Sequence, residues 1–422
     1  MYRRIVFASA QAVSFRDAAE ALWELGELPL LPKRMWRAAI RIGEERVAER
    51  RAAAAEYQQL TLPAQRQSPA EQVPQVACVQ MDGGRYQLRE RTPAEADDLA
   101  PDVTPDVAPD VAPDELDPAA AQRTCWREYK AGLLLSMTSQ THATDPCPQL
   151  PETFLNSEKM REIVREIKGF TTESPVTMKT AVNAVDEAAG PVYQERIGRP
   201  ETLVKSLVAT RKTIHSFGPL LAQAAYERGF HAAARKAFVA DGAAANWSVW
   251  EKFFSHYTGI LDFIHALMYV YAAAMAGRSP NAGWLHYRDW AQWLWSGDID
   301  RLLAALQERQ AELGIPEKKE TGTPRAQVDT SLNYLTNQRT RMNYAEYRRQ
   351  GLPITSSPME SAIKQINRRI KGSEKFWATG ADPMLHLIAD RLSQTNVVEK
   401  FWDRRLQRLI DSASYHPCQQ AA

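Results

Sequence analysis

Apolar residues recur at three- and four-residue spacing through Phe15, Ala18, Ala19, Leu22 and Leu25, which predicts a helix over 14–26 with Ser14 as N-cap and Gly26 as its stop. The turn ELPLLP leads into a second expected helix, 33–56, carrying Lys33, Arg34, Arg37, Arg41, Arg46, Arg50 and Arg51. Helix, short turn and basic helix give the outline of a helix-turn-helix DNA reader, and equally that of a plain helical hairpin with a solvated charged face. Residues 57–75, rich in Pro and Gln, read as a linker. The period then changes. Val76–Met81 alternates apolar and polar as a strand does and reaches Asp82, and Gly83-Gly84 after it predicts a turn. CWREYKAGLLLSMTS (125–139) predicts the next strand.

Three further short β-prone runs follow: Leu203–Ala209, Ala237–Ala240, which ends on Asp241-Gly242, and Tyr257–Phe263. Residues 156–190 read as helical or irregular, and 216–232 as a helix on the period of Phe217, Leu220, Leu221, Ala224 and Ala225. Beyond Phe263 the pattern is helical almost to the end. The expectation is a mixed α/β core with a large helical addition.

A length of 422 residues suits two or three domains. Hydrophobic residues at 44% and charged residues at 24% are ordinary for a globular protein, which excludes collagen, wholesale disorder and a disulfide scaffold. The longest apolar stretch, 259–277, is broken by Asp262 and His265 and predicts a buried helix rather than a membrane span. Arg3 and Arg4 precede only a short, weakly apolar run, so no secretory leader is expected. Cys78, Cys125, Cys147 and Cys418 form no CxxC pair, which argues against structural zinc and for a reducing, cytoplasmic setting.

The net charge of +1 averages over unlike parts. Residues 92–122, with the run PDVTPDVAPDVAPDELDP, hold nine acids and neither Lys nor Arg; this low-complexity stretch reads as a disordered acidic loop between two strands. Without it, 52 basic residues face 42 acidic ones. That balance permits a nucleic-acid partner without demanding one.

Three acids stand out by position. Asp82 and Asp241 each end an expected strand before glycine, and Glu360 opens the helix PMESAIKQINRRI. Carboxylates at adjacent strand ends, joined by one from a packed helix, can converge, and such a set without His or Cys suits Mg²⁺ or Mn²⁺. Two such ions activate water and stabilise the leaving oxygen in phosphodiester cleavage. Asp262 and His265, three apart at a helix start, share a face and read as a supporting pair, because His is a poor ligand for Mg²⁺. Trp284, Trp290, Trp293 and Trp295 crowd one segment; the expectation is core packing, with Trp293 as the sharper alternative of a stacking platform for an unpaired base. Arg339, Arg341, Arg348, Arg349, Lys364, Arg368, Arg369, Lys371 and Lys375 flank Glu360, an excess of cations suited to phosphate contact.

The segment NYLTNQRTRMNYAEYRRQGLPITSSPMESAIKQINRRIKGSEKFW (333–377) resembles the C-terminal catalytic block of bacterial insertion-sequence DDE transposases of the Kra-type group, related to Mutator elements. VQMDGGR then matches the first acid at Asp82, VADGAAANW the second at Asp241, and LDFIH the signature that follows it, with Asp262 and His265; Glu360 matches the third acid. The resemblance runs from about residue 14 to about 405. It implies an RNase H-like catalytic core and metal-dependent DNA transposition, in which two Mg²⁺ or Mn²⁺ ions are held by Asp82, Asp241 and Glu360. The partners it implies are terminal-repeat and target DNA, with a homo-oligomer on that DNA and no membrane. Ser357 or Pro358 stands where the family usually carries Gly, and Glu374 replaces its usual Gly after the turn. The chain is expected to start inside the family's N-terminal region.

The resulting expectation has six parts. They are a helical DNA-binding region at 1–56 that uses Arg34, Arg37 and Arg41, a linker at 57–75, and a core at 76–265 with the acidic loop at 92–122. A helical insertion at 266–350, a catalytic helix region at 351–410 that adds DNA contacts from Lys364, Arg368, Arg369 and Lys371, and a tail at 411–422 complete it. Two alternatives stand beside a transposase: an inactive, transposase-derived DNA-binding regulator, and a metal-dependent nuclease.

Overall fold

The computed structural model describes residues 1–67, 69–88, 126–171, 199–318, 320–372, 375–377 and 380–414. The acidic loop 92–122, the part of 156–190 beyond residue 171, Glu374 and the tail from 415 lie outside the described residues. The fold is mixed α/β, built on one sheet of order β3-β2-β1-β4-β5. Its strands are β1 (Val76–Leu88), β2 (Trp126–Thr138), β3 (Glu201–Thr210), β4 (Arg235–Ala240) and β5 (Thr258–Leu261). β1, β2 and β3 pair antiparallel, and β1, β4 and β5 run parallel. A two-residue strand, β6 (Phe376–Trp377), pairs with the far end of β1.

Gly83-Gly84 is not a turn: β1 runs straight through it to Leu88, paired with β2 along its length. The reason is packing. A Cβ on Gly84 would collide with the Tyr129 ring from β2. The glycine makes room for an aromatic neighbour inside the sheet, and Asp82 sits in mid-strand rather than at a strand end.

Ahead of the sheet come α1 (Tyr2–Gln11), α2 (Phe15–Gly26), α3 (Pro32–Gln59) and the short α4 (Leu62–Arg66), which lies within the expected linker. Ser14 caps α2 in a reciprocal pair with Asp17. α3 does more than present a charged face. Its Ala39, Ile40, Ile42, Ala54 and Tyr57 belong to the same buried cluster as the sheet residues. Gly43 lets it approach α14 (Ala381–Leu392) so closely that an added Cβ would lie 2.6 Å from Pro383. Arg46 and Arg50, expected on a solvated face, are buried against Asp390 of α14 at 2.7 and 2.6 Å.

Between the strands lie α5 (Ser157–Thr171) and α6 (Ile214–Glu227), and α7 (Ala244–Phe253) follows β4. After β5 come α8 (Phe263–Met275), α9 (Pro280–Ser296), α10 (Ile299–Leu313), α11 (Pro324–Asn337) and α12 (Tyr344–Arg349). α13 (Ser357–Ile370), α14 and α15 (Val397–Ser414) close the chain. Asp262 is not the end of a strand; it is the N-cap of α8. Among the described residues no helix is long and apolar enough to cross a membrane.

Candidate functional site

The strand registers line up three acids. β1 and β4 pair through Gln80 and Val239, and the same register carried two residues on sets Asp82 beside Asp241. β4 and β5 pair through Ala240 and Leu261, and one residue on brings Asp241 level with Asp262. Asp82 in β1, and Asp241 and Asp262 just past the ends of β4 and β5, therefore lie at one level of the sheet.

Each is held differently. Asp82 Oδ1 accepts the Gly83 N–H at 2.7 Å. Asp241 Oδ1 accepts the Ala243 N–H at 3.0 Å and an Asn246 Nδ2 hydrogen at 2.7 Å, which fixes its carboxylate at the mouth of α7. Asp262 is wholly buried and spends both oxygens internally. Its Oδ1 accepts from the N–H of His265 at 2.9 Å and pairs with His265 Nδ1 at 3.1 Å. Its Oδ2 accepts from the N–H and hydroxyl of Ser356, the residue before α13, which is the helix that carries Glu360.

The electrostatics tie the acids together. Burial pushes the Asp82 carboxyl up to about 7; the Gly83 N–H opposes this, Asp241 adds to it, His265 offsets it and Glu360 adds again. Burial alone would lower His265, but its hydrogen bond to Asp262 and the charges of Asp262, Asp241 and Glu360 raise it to about 9. Burial would raise Asp262, yet the hydrogen bond and charge of His265 and the Ser356 hydroxyl hold it below the usual carboxylate range. At neutral pH His265 is a cation among four acids. Asp241 and Glu360 thus both act on the Asp82 carboxyl. Among the described residues no three His, Cys, Asp or Glu side chains stand in a ready-made metal-binding group.

The helices from α8 to α12 also reach the site. Tyr334 of α11 packs over Gly242, where a Cβ would strike its ring, and stacks on Tyr269 of α8 with centroids 3.7 Å apart. Gln338 Nε2 donates to the Gly242 carbonyl at 3.4 Å. Tyr129 donates to Asn367 of α13 at 2.9 Å, close enough to Asp82 to feel its charge. Sequence pattern alone does not point to Ser356, Tyr334, Asn246 or Tyr129. Only Asn246 carries a local signal, five residues past Asp241.

The expected DNA contacts separate into two groups. Arg34, Arg37, Arg41, Lys364, Arg368 and Lys371 are exposed. Arg369 is not among them: it is buried, donates to the Ser9 carbonyl at 3.0 Å and lies 4.3 Å over the Phe15 ring, so it ties α13 to the N-terminal helices. Trp293 is half-buried with the Arg301 guanidinium 4.3 Å over its ring, while Tyr287, Trp290 and Trp295 pack in the core. Arg339, Arg348 and Arg349 are paired with Asp300, Asp145 and Glu346. No protein-family model matches the chain, and no curated protein matches it in sequence.

Proposed function

We propose that this protein is a DDE-type DNA transposase with an RNase H-like core, which cleaves DNA at insertion-sequence ends and joins them to target DNA. The single observation that carries the reading is that Asp241 and Glu360, both far from it in sequence, act on the buried Asp82 carboxyl. The sheet order and pairing pattern, three antiparallel strands continued by two parallel ones, support the same core.

The donor set fits hard divalent cations. It is carboxylate oxygen without thiolate, and burial of Asp82 beside two other acids leaves negative charge that Mg²⁺ or Mn²⁺ would offset. Asp82 and Asp241 would hold one ion between neighbouring strands, and Glu360 would hold the second from α13. When bound, the ions supply Lewis acidity and lower the pKa of a coordinated water. The chain's own residues do the rest. Asp262 fixes the start of α13, the helix that carries Glu360, through Ser356. Asn246 orients the Asp241 carboxylate. His265 places a positive charge facing Asp241 and Glu360. Exposed Arg34, Arg37, Arg41, Lys364, Arg368 and Lys371 would hold phosphates, and pairing two element ends implies a homo-oligomer on DNA.

The test is cleavage of labelled linear DNA that carries the borders of the gene's own element, with Mg²⁺ or Mn²⁺, with EDTA, and with Glu360→Ala. Nicks at the border that vanish with EDTA and with the substitution are expected. Binding without cleavage under all conditions would replace this reading with that of a regulatory DNA-binding protein. Equal cleavage of random DNA would replace it with a general nuclease.

A further inference from the structure

A second polar cluster lies at the other end of the parallel strands from the acids. His231 sits in the turn that leads into β4, and His256 and Tyr257 sit in the turn that leads into β5. β4 and β5 pair in parallel, so both turns enter the sheet on the same side, with Asp241 and Asp262 past the opposite ends. None of these three residues has a part in the reading above.

The surroundings fix the proton on one ring. His231 Nε2 lies 3.3 Å from the Ala222 carbonyl, which only accepts, so Nε2 carries the hydrogen and Nδ1 is a lone pair. That lone pair meets His256 Nε2 at 3.3 Å and the Tyr257 hydroxyl at 3.2 Å. Neither tautomer of His256 suits this arrangement. With hydrogen on Nε2, two donors crowd one lone pair; without it, two imidazole lone pairs face one another. A cation between the rings resolves the conflict, because it takes both lone pairs at once. Tetrahedral coordination at about 2.0–2.1 Å sets two ligand nitrogens about 3.3 Å apart. That is the separation between His231 Nδ1 and His256 Nε2.

Other features suit a metal. An N–H given to a backbone carbonyl, as His231 gives to Ala222, is the outer contact that a metal-bound imidazole usually makes, and it aims the ring. Burial lowers both imidazoles to about 4, and the charges of Lys236 and Arg66 add to it, so both rings are neutral at pH 7 and no proton competes. His231 is buried, but His256 is half-buried and leaves a way in. Lys236 and Arg66 also repel a dication, which selects for an ion that gains most from nitrogen. Imidazole without carboxylate favours Zn²⁺, Ni²⁺ or Cu²⁺ over Mg²⁺.

We propose that His231 Nδ1 and His256 Nε2 bind one Zn²⁺ ion, with the Tyr257 oxygen and water in the remaining positions. The ion would clip the turn before β4 to the turn before β5 and so brace, from behind, the two strands that lead to Asp241 and Asp262. The site is separate from the acids and is tested apart from the transposase reading.

Zn²⁺ is titrated calorimetrically into the full chain at pH 7.5, with Mg²⁺ in large excess to fill the carboxylates. Wild type is compared with His256→Gln and with His215→Gln, an exposed control. Metal-free unfolding midpoints show that each variant folds. Wild type and His215→Gln are expected to take up one equivalent. His256→Gln should bind more than about tenfold more weakly, a loss usual for removing even an outer partner. Cu²⁺ in place of Zn²⁺ should show coupling to two nitrogens by electron paramagnetic resonance, reduced to one in His256→Gln. No Zn²⁺ uptake in excess Mg²⁺, or equal uptake by His256→Gln, overturns the proposal. Uptake that survives in His256→Gln and disappears in Glu360→Gln would place the ion at the acids and overturn it as well.

Discussion

Asp262 accepts the backbone N–H and the hydroxyl of Ser356, the latter at 2.7 Å, across 94 residues of chain. The same carboxylate caps α8 and pairs with His265. One buried anion thus fixes both the start of the long helical insertion and the start of the helix of Glu360. Ser356 gives its hydroxyl to Asp262 and makes no side-chain cap to its own helix. Asp262→Ala is expected to cost about 3–5 kcal/mol, because it strands a charged His265 and two donors. It should also abolish cleavage. Ser356→Ala, which keeps the N–H contact, should cost only about 1 kcal/mol. Urea unfolding of the two variants is the check, and an Asp262→Ala midpoint equal to wild type would remove this pivot.

The three acids make a paired prediction. Asp82→Asn, Asp241→Asn and Glu360→Gln should each abolish strand cleavage and leave DNA affinity within a few-fold of wild type. Metal-free, Asp82→Asn should be more stable than wild type at pH 8, by on the order of 2 kcal/mol, because it removes a buried charge repelled by Asp241 and Glu360. Added Mg²⁺ should stabilise wild type and leave the variant nearly unchanged. Thermal unfolding with EDTA and with Mg²⁺ reads both effects, and a destabilised metal-free Asp82→Asn would contradict the repulsion.

His265 gives a pH dependence with a definite sign. Its folded pKa of about 9 lies above its ordinary 6.5. The stability this contributes is fully present below pH 6.5 and is lost as pH rises through about 9. The lowered Asp262 acts oppositely, contributing above its ordinary 3.8 and losing that contribution as pH falls below it. In EDTA, wild type should lose on the order of 2 kcal/mol between pH 6.5 and 9.5 relative to His265→Gln. A parallel pair of stability curves over that window would show that the imidazole is neutral.

The same split between local and distant signals decides how much of the molecule is legible in its sequence. Helix 14–26, the strand Ala237–Ala240 and the acids Asp241 and Glu360 are readable because period, cap and turn residues lie within a few positions of one another. Gly83-Gly84 misleads because the local rule for a glycine pair is a turn, while the reason for Gly84 is Tyr129 on the next strand. Arg46, Arg50 and Arg369 look like solvated charges because Asp390 and the Ser9 carbonyl, which hold them, lie more than 300 residues away. Gly84→Ala should therefore destabilise by about 1–3 kcal/mol, as overpacking does. Adding Tyr129→Leu should recover part of that loss. A turn at this point would instead leave Gly84→Ala indifferent to residue 129, and the double-mutant cycle in urea distinguishes the two.

Arg368 and Arg369 are neighbours in sequence with opposite environments, and the salt dependence of DNA binding should part them. Arg368 is exposed beside Lys364 and Lys371 on the helix of Glu360, whereas Arg369 is buried between that helix and Phe15. Removing one cation from a phosphate lowers the slope of log affinity against log salt by about 0.9. Arg368→Ala, Lys364→Ala and Lys371→Ala should each reduce the slope by about that amount with unfolding midpoints unchanged. Arg34→Ala, Arg37→Ala and Arg41→Ala test the N-terminal face in the same way. Arg369→Ala should do the reverse: it should cost about 2 kcal/mol or more of stability by orphaning the Ser9 carbonyl and its packing on Phe15, and leave the salt slope unchanged. A reduced slope for Arg369→Ala at full stability would mean that this guanidinium turns outward to meet DNA.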